Sequence, residues 1–232
     1  MKIALINGSP KANGSVSALI LQSLRERFPD HQEQRDDGAC CTCSTCGSDT
    51  SGACGTCINT YHFSKPQINQ QDLAELAACD TLVFAFPLYV DGIPSHLLSC
   101  LSQMEGYLKP LASKEMRVYA IVNCGFYEGR QNQHALDMMQ NWCAKTRLIW
   151  GHGLGIGGGG SQAAIPETHP LKKGFSAAMN NMANYISNGR AADHAFIDPA
   201  IPRILYKIGG AMGWRQQIKV NGLKVRDLSL RK

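Results

Sequence analysis

Two periods of apolar and polar positions organise this chain. Residues 3–6 (IALI), 81–86 (TLVFAF), 117–122 (RVYAIV) and 147–156 are short, largely apolar runs, several of them rich in branched residues. Runs of this length are read as strands buried on both faces. Between them apolar residues recur at helical spacing, as in Val16, Leu19, Ile20, Leu24 and Phe28, in Leu97, Leu98, Leu101 and Met104, and in Ala135, Leu136, Met139, Trp142 and Cys143. The spacing predicts helices over 15–28, 70–79, 94–108, 130–145 and 172–188, with Ser15 as an N-cap and Pro94 at a first helical position. Strands alternating with helices predict a doubly wound parallel sheet, for which 2-1-3-4-5 is one of the common strand orders. The second strand should follow residue 29, yet residues 31–37 (HQEQRDD) are wholly polar. That strand is an edge in this order, so a short or missing one is expected, and no element is assigned up to residue 69.

Three of the strands run into loops with chemistry of their own. After the first, residues 7–15 (NGSPKANGS) lead into a helix through small polar residues. Such a turn presents unpaired backbone N–H groups and the positive end of the helix dipole to one spot, which suits an anion. Ser9, Lys11, Asn13 and Ser15 add donors, and no acidic residue opposes them. A nucleoside-triphosphate loop needs four residues between its glycines and then Gly-Lys-Ser/Thr; here five separate Gly8 from Gly14, and Ser15 follows without a lysine. A dinucleotide G-x-G-x-x-G is also missing from this turn. The remaining readings are a cradle for a terminal monophosphate and an ordinary strand-to-helix turn. The second loop is Pro87-Leu88-Tyr89-Val90-Asp91-Gly92, the third Asn123-Cys124-Gly125-Phe126-Tyr127-Glu128-Gly129. In an open sheet, loops at the carboxyl ends share one crevice, where Tyr89, Phe126 and Tyr127 either lie along a flat ring or simply pack their loops.

The loops GSPKANGS, FPLYVDGIPSHLL and NCGFYEGRQNQHALDMMQNWC resemble the three flavin-contacting loops of flavodoxin-like NAD(P)H-dependent FMN reductases. The ending IPRILYKIGGAMGW with VNGLKVRDL is similar to the tail of a branch common in anaerobic bacteria. The resemblance implies a flavodoxin-like fold over residues 1–188 with a C-terminal extension, 189–232, in the same unit. It implies that Ser9, Lys11, Asn13, Gly14 and Ser15, with Val16 at the helix start, hold an FMN phosphate. Pro87, Leu88, Tyr89 and Val90 would line the isoalloxazine, and Asn123, Cys124, Gly125, Phe126 and Tyr127 its other edge. Val90-Asp91 departs from the Trp or Gly that follows the Tyr in better-known members.

At 232 residues and 44% apolar content the chain can bury one full core. Lys2 leads straight into a strand without a signal-peptide pattern, and the longest apolar run, residues 82–90, is far below the roughly 18 residues of a spanning helix. A soluble cytoplasmic protein, not bound to membrane, is expected. Ten cysteines are present, six of them between residues 40 and 57. In a reducing compartment disulfides are not the default. Cys40, Cys43, Cys46 and Cys54 resemble the compact ligand motif of iron–sulfur flavoproteins, so a [4Fe–4S] cluster stands beside a zinc site and a metal-free Cys-rich lid. Cys79, Cys100, Cys124 and Cys143 fall in element patterns and are expected as buried packers. The seven histidines form no H-E-x-x-H pattern. Residues 151–160 (GHGLGIGGGG) contain G-x-G-x-x-G at Gly153, Gly155 and Gly158, but after the last strand and with no helix start expected behind it; a floor beside the flavin and a plain loop remain open.

The net charge of +5 is concentrated at the C-terminal end: residues 199–232 carry eight basic residues and one acid, a local +7, leaving −2 for the rest. With only Tyr206 and Trp214 interleaved, no nucleic-acid module is indicated. A subunit-packing tail and attraction of NAD(P)H phosphates are the two readings. The segment's apolar content predicts that it is docked, in a homodimer or larger closed assembly. The expected activity is hydride uptake from NAD(P)H by FMN and reduction of a small acceptor such as a quinone, flavin or nitro compound. The flavin supplies the chemistry, so no catalytic acid–base pair is required. The alternative is an electron carrier, with or without the cluster.

Overall fold

A computed structural model describes residues 1–11, 14–28, 56–111 and 115–229. Six strands form one all-parallel sheet: β1 (Lys2–Asn7), β2 (Cys57–His62), β3 (Thr81–Pro87), β4 (Arg117–Asn123), β5 (Ile149–Ile156) and β6 (Ala195–Ile197), in the order β2-β1-β3-β4-β5-β6. The helices are α1 (Val16–Arg25), α2 (Gln70–Ala77), α3 (Ser95–Leu108), α4 (Gln133–Thr146), α5 (Gly159–Ala164), α6 (Lys173–Ser187) and α7 (Arg203–Val220).

Alternation along each strand sends side chains to opposite faces. Ala4, Ile6, Leu82, Phe84, Phe86, Val118, Ala120 and Val122 pack with the buried faces of α2, α3 and α4. Ile3, Leu5, Val83, Ala85, Tyr119 and Ile121 meet α1 and α6 on the other side. Each fully buried branched or aromatic side chain contributes about 1.5–3 kcal/mol, so both layers are held by apolar burial. The doubly wound, flavodoxin-like architecture expected from the alternation is the one observed.

Three expectations are corrected. Residues 31–37 lie outside the described residues, and the second strand, for which no element was assigned up to residue 69, is β2, where buried Ile58 and Tyr61 alternate with more exposed neighbours. So few apolar positions hid it. The sheet also has a sixth strand, β6, taken from the segment read as an extension; Gly157 N–H donates to Ile197 O at 2.9 Å beside it. A helix start does follow the 153–158 glycines: Gly158 adopts a left-handed φ of 56° and α5 begins at the next residue. Among the described residues no helix is long and apolar enough to cross a membrane.

The Tyr119 hydroxyl, at the end of a fully buried ring, lies 3.0 Å from both the Tyr185 and Arg190 carbonyls and ties the end of α6 to β4. Tyr119→Phe removes this buried hydroxyl donor, while Tyr185 O keeps the Arg190 N–H at 2.8 Å. The substitution is expected to cost about 1–3 kcal/mol, measured as a lower urea midpoint at unchanged slope.

Candidate flavin crevice

The loop after β1 is shaped by its own side chains. Asn7 Oδ1 accepts from Ser9 N–H at 3.1 Å, and Asn7 Nδ2 donates to Ser15 Oγ at 3.2 Å. Ser15 is the N-cap of α1, its Oγ also accepting from Ala18 N–H at 3.1 Å. Ser9 Oγ accepts from Lys11 N–H at 3.3 Å, and Ser17 Oγ accepts from Asn123 Nδ2 at 3.0 Å. A hydroxyl has two acceptor lone pairs and one donor proton. In Ser9, Ser15 and Ser17 the acceptor side is engaged by the protein, and among the described residues none of the three protons is. All three side chains are buried, Ser15 and Ser17 in the cap and first turn of a ten-residue helix whose first-turn amides have no intrahelical acceptor, and Ser9 in the loop before it, joined to Ser15 through Asn7. Hydroxyl donors beside a helix N-terminus are the chemistry that suits an anion.

Lys11 adds positive charge, its Nζ donating to Gly14 O at 3.3 Å, and Gly14 takes a left-handed φ of 61°. Asn13 lies outside the described residues. Val16 is half-buried and packs with the α1–α6 layer. Two histidines flank the loop: His62 Nε2 is 3.1 Å from Ser9 O, and His96 Nε2 is 3.2 Å from Gly8 O.

The other loops lie against this one. Leu88 N–H donates to Asn123 O at 2.8 Å, Gly8 N–H to Ala85 O at 2.8 Å, and Gly159 N–H to Cys124 O at 2.9 Å. Pro87 and Leu88 are half-buried, whereas Tyr89 is 50%, Phe126 55% and Val90 101% exposed. These three therefore form an open apolar rim. The amides of Gly125, Phe126 and Tyr127 donate to no acceptor among the described residues, so a ligand's polar edge can take them. Tyr127 is differently placed: its hydroxyl donates to Ile201 O at 2.8 Å and its ring meets Tyr206 edge-on at 5.6 Å. It serves the C-terminal segment, with Tyr206 donating to Gly125 O at 2.8 Å and Arg203 paired to Glu128 at 2.8 Å. Cys124 is buried, and burial pushes its thiol pKa up, which makes it a neutral packer. Cys79, Cys100 and Cys143 are likewise buried, the Cys100 thiol pushed up to about 11 by burial.

The glycine segment behind the crevice is a close backbone approach. A Cβ on Gly157 would stand 2.1 Å from Tyr127 O and one on Gly159 2.8 Å from Asn123 Cβ. Buried Lys172 steadies this segment from behind, donating to Gln162 O at 2.7 Å, while Gln162 Nε2 donates to Gly157 O at 2.6 Å; burial lowers the Lys172 pKa. Cys40, Cys43, Cys46 and Cys54 lie outside the described residues, and among those described no cluster of three or more His, Cys, Asp or Glu could hold a metal ion. Sequence reasoning named most of the cradle but missed Ser17, His62 and His96. Ser17 was findable from its place two residues after the cap; the histidines join the loop only through tertiary contact.

Fold and crevice define a flavodoxin-like doubly wound α/β protein. Residues 1–99 match the family model described as a flavodoxin-like fold. Among solved structures the chain is similar to an NADPH-quinone reductase from P. pentosaceus, at 12% identity over 79% of this chain and 98% of that one, with a TM-score of 0.50. It is similar also to an apo NADH:FMN oxidoreductase, at 14% identity over 87% of this chain and 96% of that one, with a TM-score of 0.52. No curated protein sequence matches.

Val90 and Asp91 turn the rim as a two-residue hairpin, with φ of 48° and 56° and Tyr89 and Gly92 exchanging both backbone hydrogen bonds. Left-handed φ is strained for a β-branched residue and is what Asn-Gly relieves. Val90→Asn with Asp91→Gly is expected to raise stability by about 1–2 kcal/mol, read as a higher denaturation midpoint.

Proposed function

We propose that this chain binds FMN in the crevice, takes hydride from NAD(P)H and passes the electrons to a small acceptor such as a quinone, a flavin or a nitro compound. The observation that carries the proposal is the set of three buried serine hydroxyls, in and just before the α1 N-terminus, whose protons meet no acceptor among the described residues, a donor set that suits a phosphate monoester. Ser9, Ser15, Ser17, Lys11 and the amides of 14–17 would hold the phosphate. Pro87, Leu88 and Tyr89 would lie along the ring, and the amides of 125–127 along its polar edge. FMN when bound supplies hydride acceptance and electron release; the chain supplies position, donors to the ring and an open face flanked by Tyr89, Val90 and Phe126. The solved structures of similar fold include proteins named as NADPH-quinone reductase and NADH:FMN oxidoreductase, which supports the reading.

Loading with FMN is expected to give a bound-flavin absorption spectrum that NADH or NADPH bleaches. Ser9→Ala removes one donor to a charged group, for a roughly ten- to hundredfold weaker FMN Kd by fluorescence titration. No FMN binding under any redox condition overturns the proposal, and bound flavin that neither nucleotide bleaches favours the electron-carrier alternative.

We infer also that α7 packs against a second copy of the chain. Ile204, Leu205, Ile208, Met212 and Trp214 are each more than half exposed, and Ile218 alone in α7 is buried. Beyond Tyr206 the helix projects from its own domain. An apolar surface of this kind marks an interface. The +7 of residues 199–232 complements the −2 of the remainder, which favours a tail-on-body contact between copies. A chain ending after Lys207 keeps the Tyr206 anchor and is expected to sediment as a smaller species than the full chain. Equal sedimentation of the two forms overturns the inference.

A further inference from the structure

Two carbonyl oxygens in the anion loop are bonded from outside it. Gly8 O faces His96 Nε2 at 3.2 Å, from the first turn of α3, and Ser9 O faces His62 Nε2 at 3.1 Å, from the last residue of β2. A carbonyl only accepts, so in both imidazoles Nε2 carries the proton. The two histidines come from elements on either side of the loop and hold consecutive peptide groups. No ion pair joins either ring to a carboxylate among the described residues.

A peptide carbonyl is the negative end of its dipole, and one turned toward a phosphate opposes it. Next to these two carbonyls stand the donors that a phosphate needs, Ser9 Oγ and the 14–17 turn. Few other bonds hold the loop among the described residues: Pro10 has no N–H, and beyond the Asn7 and Ser9 side chains there are Gly8 N–H on Ala85 O and Lys11 Nζ on Gly14 O. Gly8 is wedged, since a Cβ there would stand 2.6 Å from Leu97 in the same first turns of α3 that carry His96.

We propose that His62 and His96 are positioning residues for phosphate recognition: by holding the Ser9 and Gly8 carbonyls they orient the loop's donors toward the anion, and so set the preference for FMN over riboflavin, which has the same ring and no phosphate. The inference rests on the flavin reading above. The imidazoles touch the loop and not the ligand.

The test uses the full chain and two probes, FMN and riboflavin, titrated by flavin fluorescence. In His62→Leu/His96→Leu the FMN Kd is expected to weaken roughly tenfold, as two lost neutral hydrogen bonds allow, with the riboflavin Kd unchanged. In His62→Gln/His96→Gln the side-chain amide can donate to the same carbonyls, and most of the FMN affinity is expected to return. A merely structural role moves both probes together. Unchanged FMN affinity in the Leu pair, equal weakening of both flavins, or failure of the Gln pair to rescue each overturn the proposal. Far-ultraviolet circular dichroism and the melting temperature separate these results from unfolding; should the Leu pair not fold, the single variants carry the same comparison. Wild type that binds riboflavin and FMN equally overturns this inference alone, whereas wild type that binds neither overturns the flavin reading.

Discussion

The side-chain amide of Asn123 is the constraint on which the crevice depends. Its Nδ2 donates to Ser17 Oγ at 3.0 Å and to Phe86 O at 3.1 Å, while the backbone carbonyl of the same residue accepts from Leu88 N–H at 2.8 Å. One residue at the end of β4 thereby joins α1, β3 and the loop that follows β3. Because the group is buried, these bonds are formed away from water, where leaving one unmade is costly. Ser17 in turn has one lone pair engaged by Asn123, and its proton meets no acceptor among the described residues.

The same economy of space shapes the back of the crevice. Residues 157–159 run so close to the 124–129 loop that no side chain fits between them, and backbone bonds from Gly158 to Phe126 O and from Gly159 to Cys124 O take its place. This is why glycines cluster there. The C-terminal segment closes the third side, since Asp198 accepts from Gly129 N–H at 2.7 Å and Tyr206 reaches Gly125 O. Residues 195–206 are thus bonded to the sheet and to the 124–129 loop, whereas Ile208, Met212 and Trp214 farther along α7 are more than half exposed. The structure divides a tail that composition alone treats as one piece.

Strain is confined to the rim. Val90 is fully exposed and left-handed at the tip of its hairpin, so nothing in the core requires it. The rigid cradle and the strained rim are separated by Leu88, whose backbone is held by Asn123. Substituting at the rim alters what faces the open side of the crevice without disturbing the donors at its base.

Read alone, the chain shows most of its architecture. Continuous apolar runs and helical periodicity place β1, β3, β4, β5 and the helices packed on them, because burial on both faces writes a strong local pattern. It shows the loop proposed for a phosphate too, since small polar residues between a strand and a helix carry their chemistry locally. It hides β2 and β6, edge strands with few apolar positions, whose place is decided by the neighbouring strand's free hydrogen-bonding groups rather than by their own composition. His62 and His96 were invisible as members of the cradle, and Ser17 legible only by its place after the cap, because each joins it through a partner 53 to 106 residues away, Asn123 for Ser17, Ser9 for His62 and Gly8 for His96. Tyr127, read as a ring contact, is turned to the C-terminal carbonyls for the same reason. Local sequence determines which groups a loop offers; only the packed fold decides which are already bonded to the protein and which remain free.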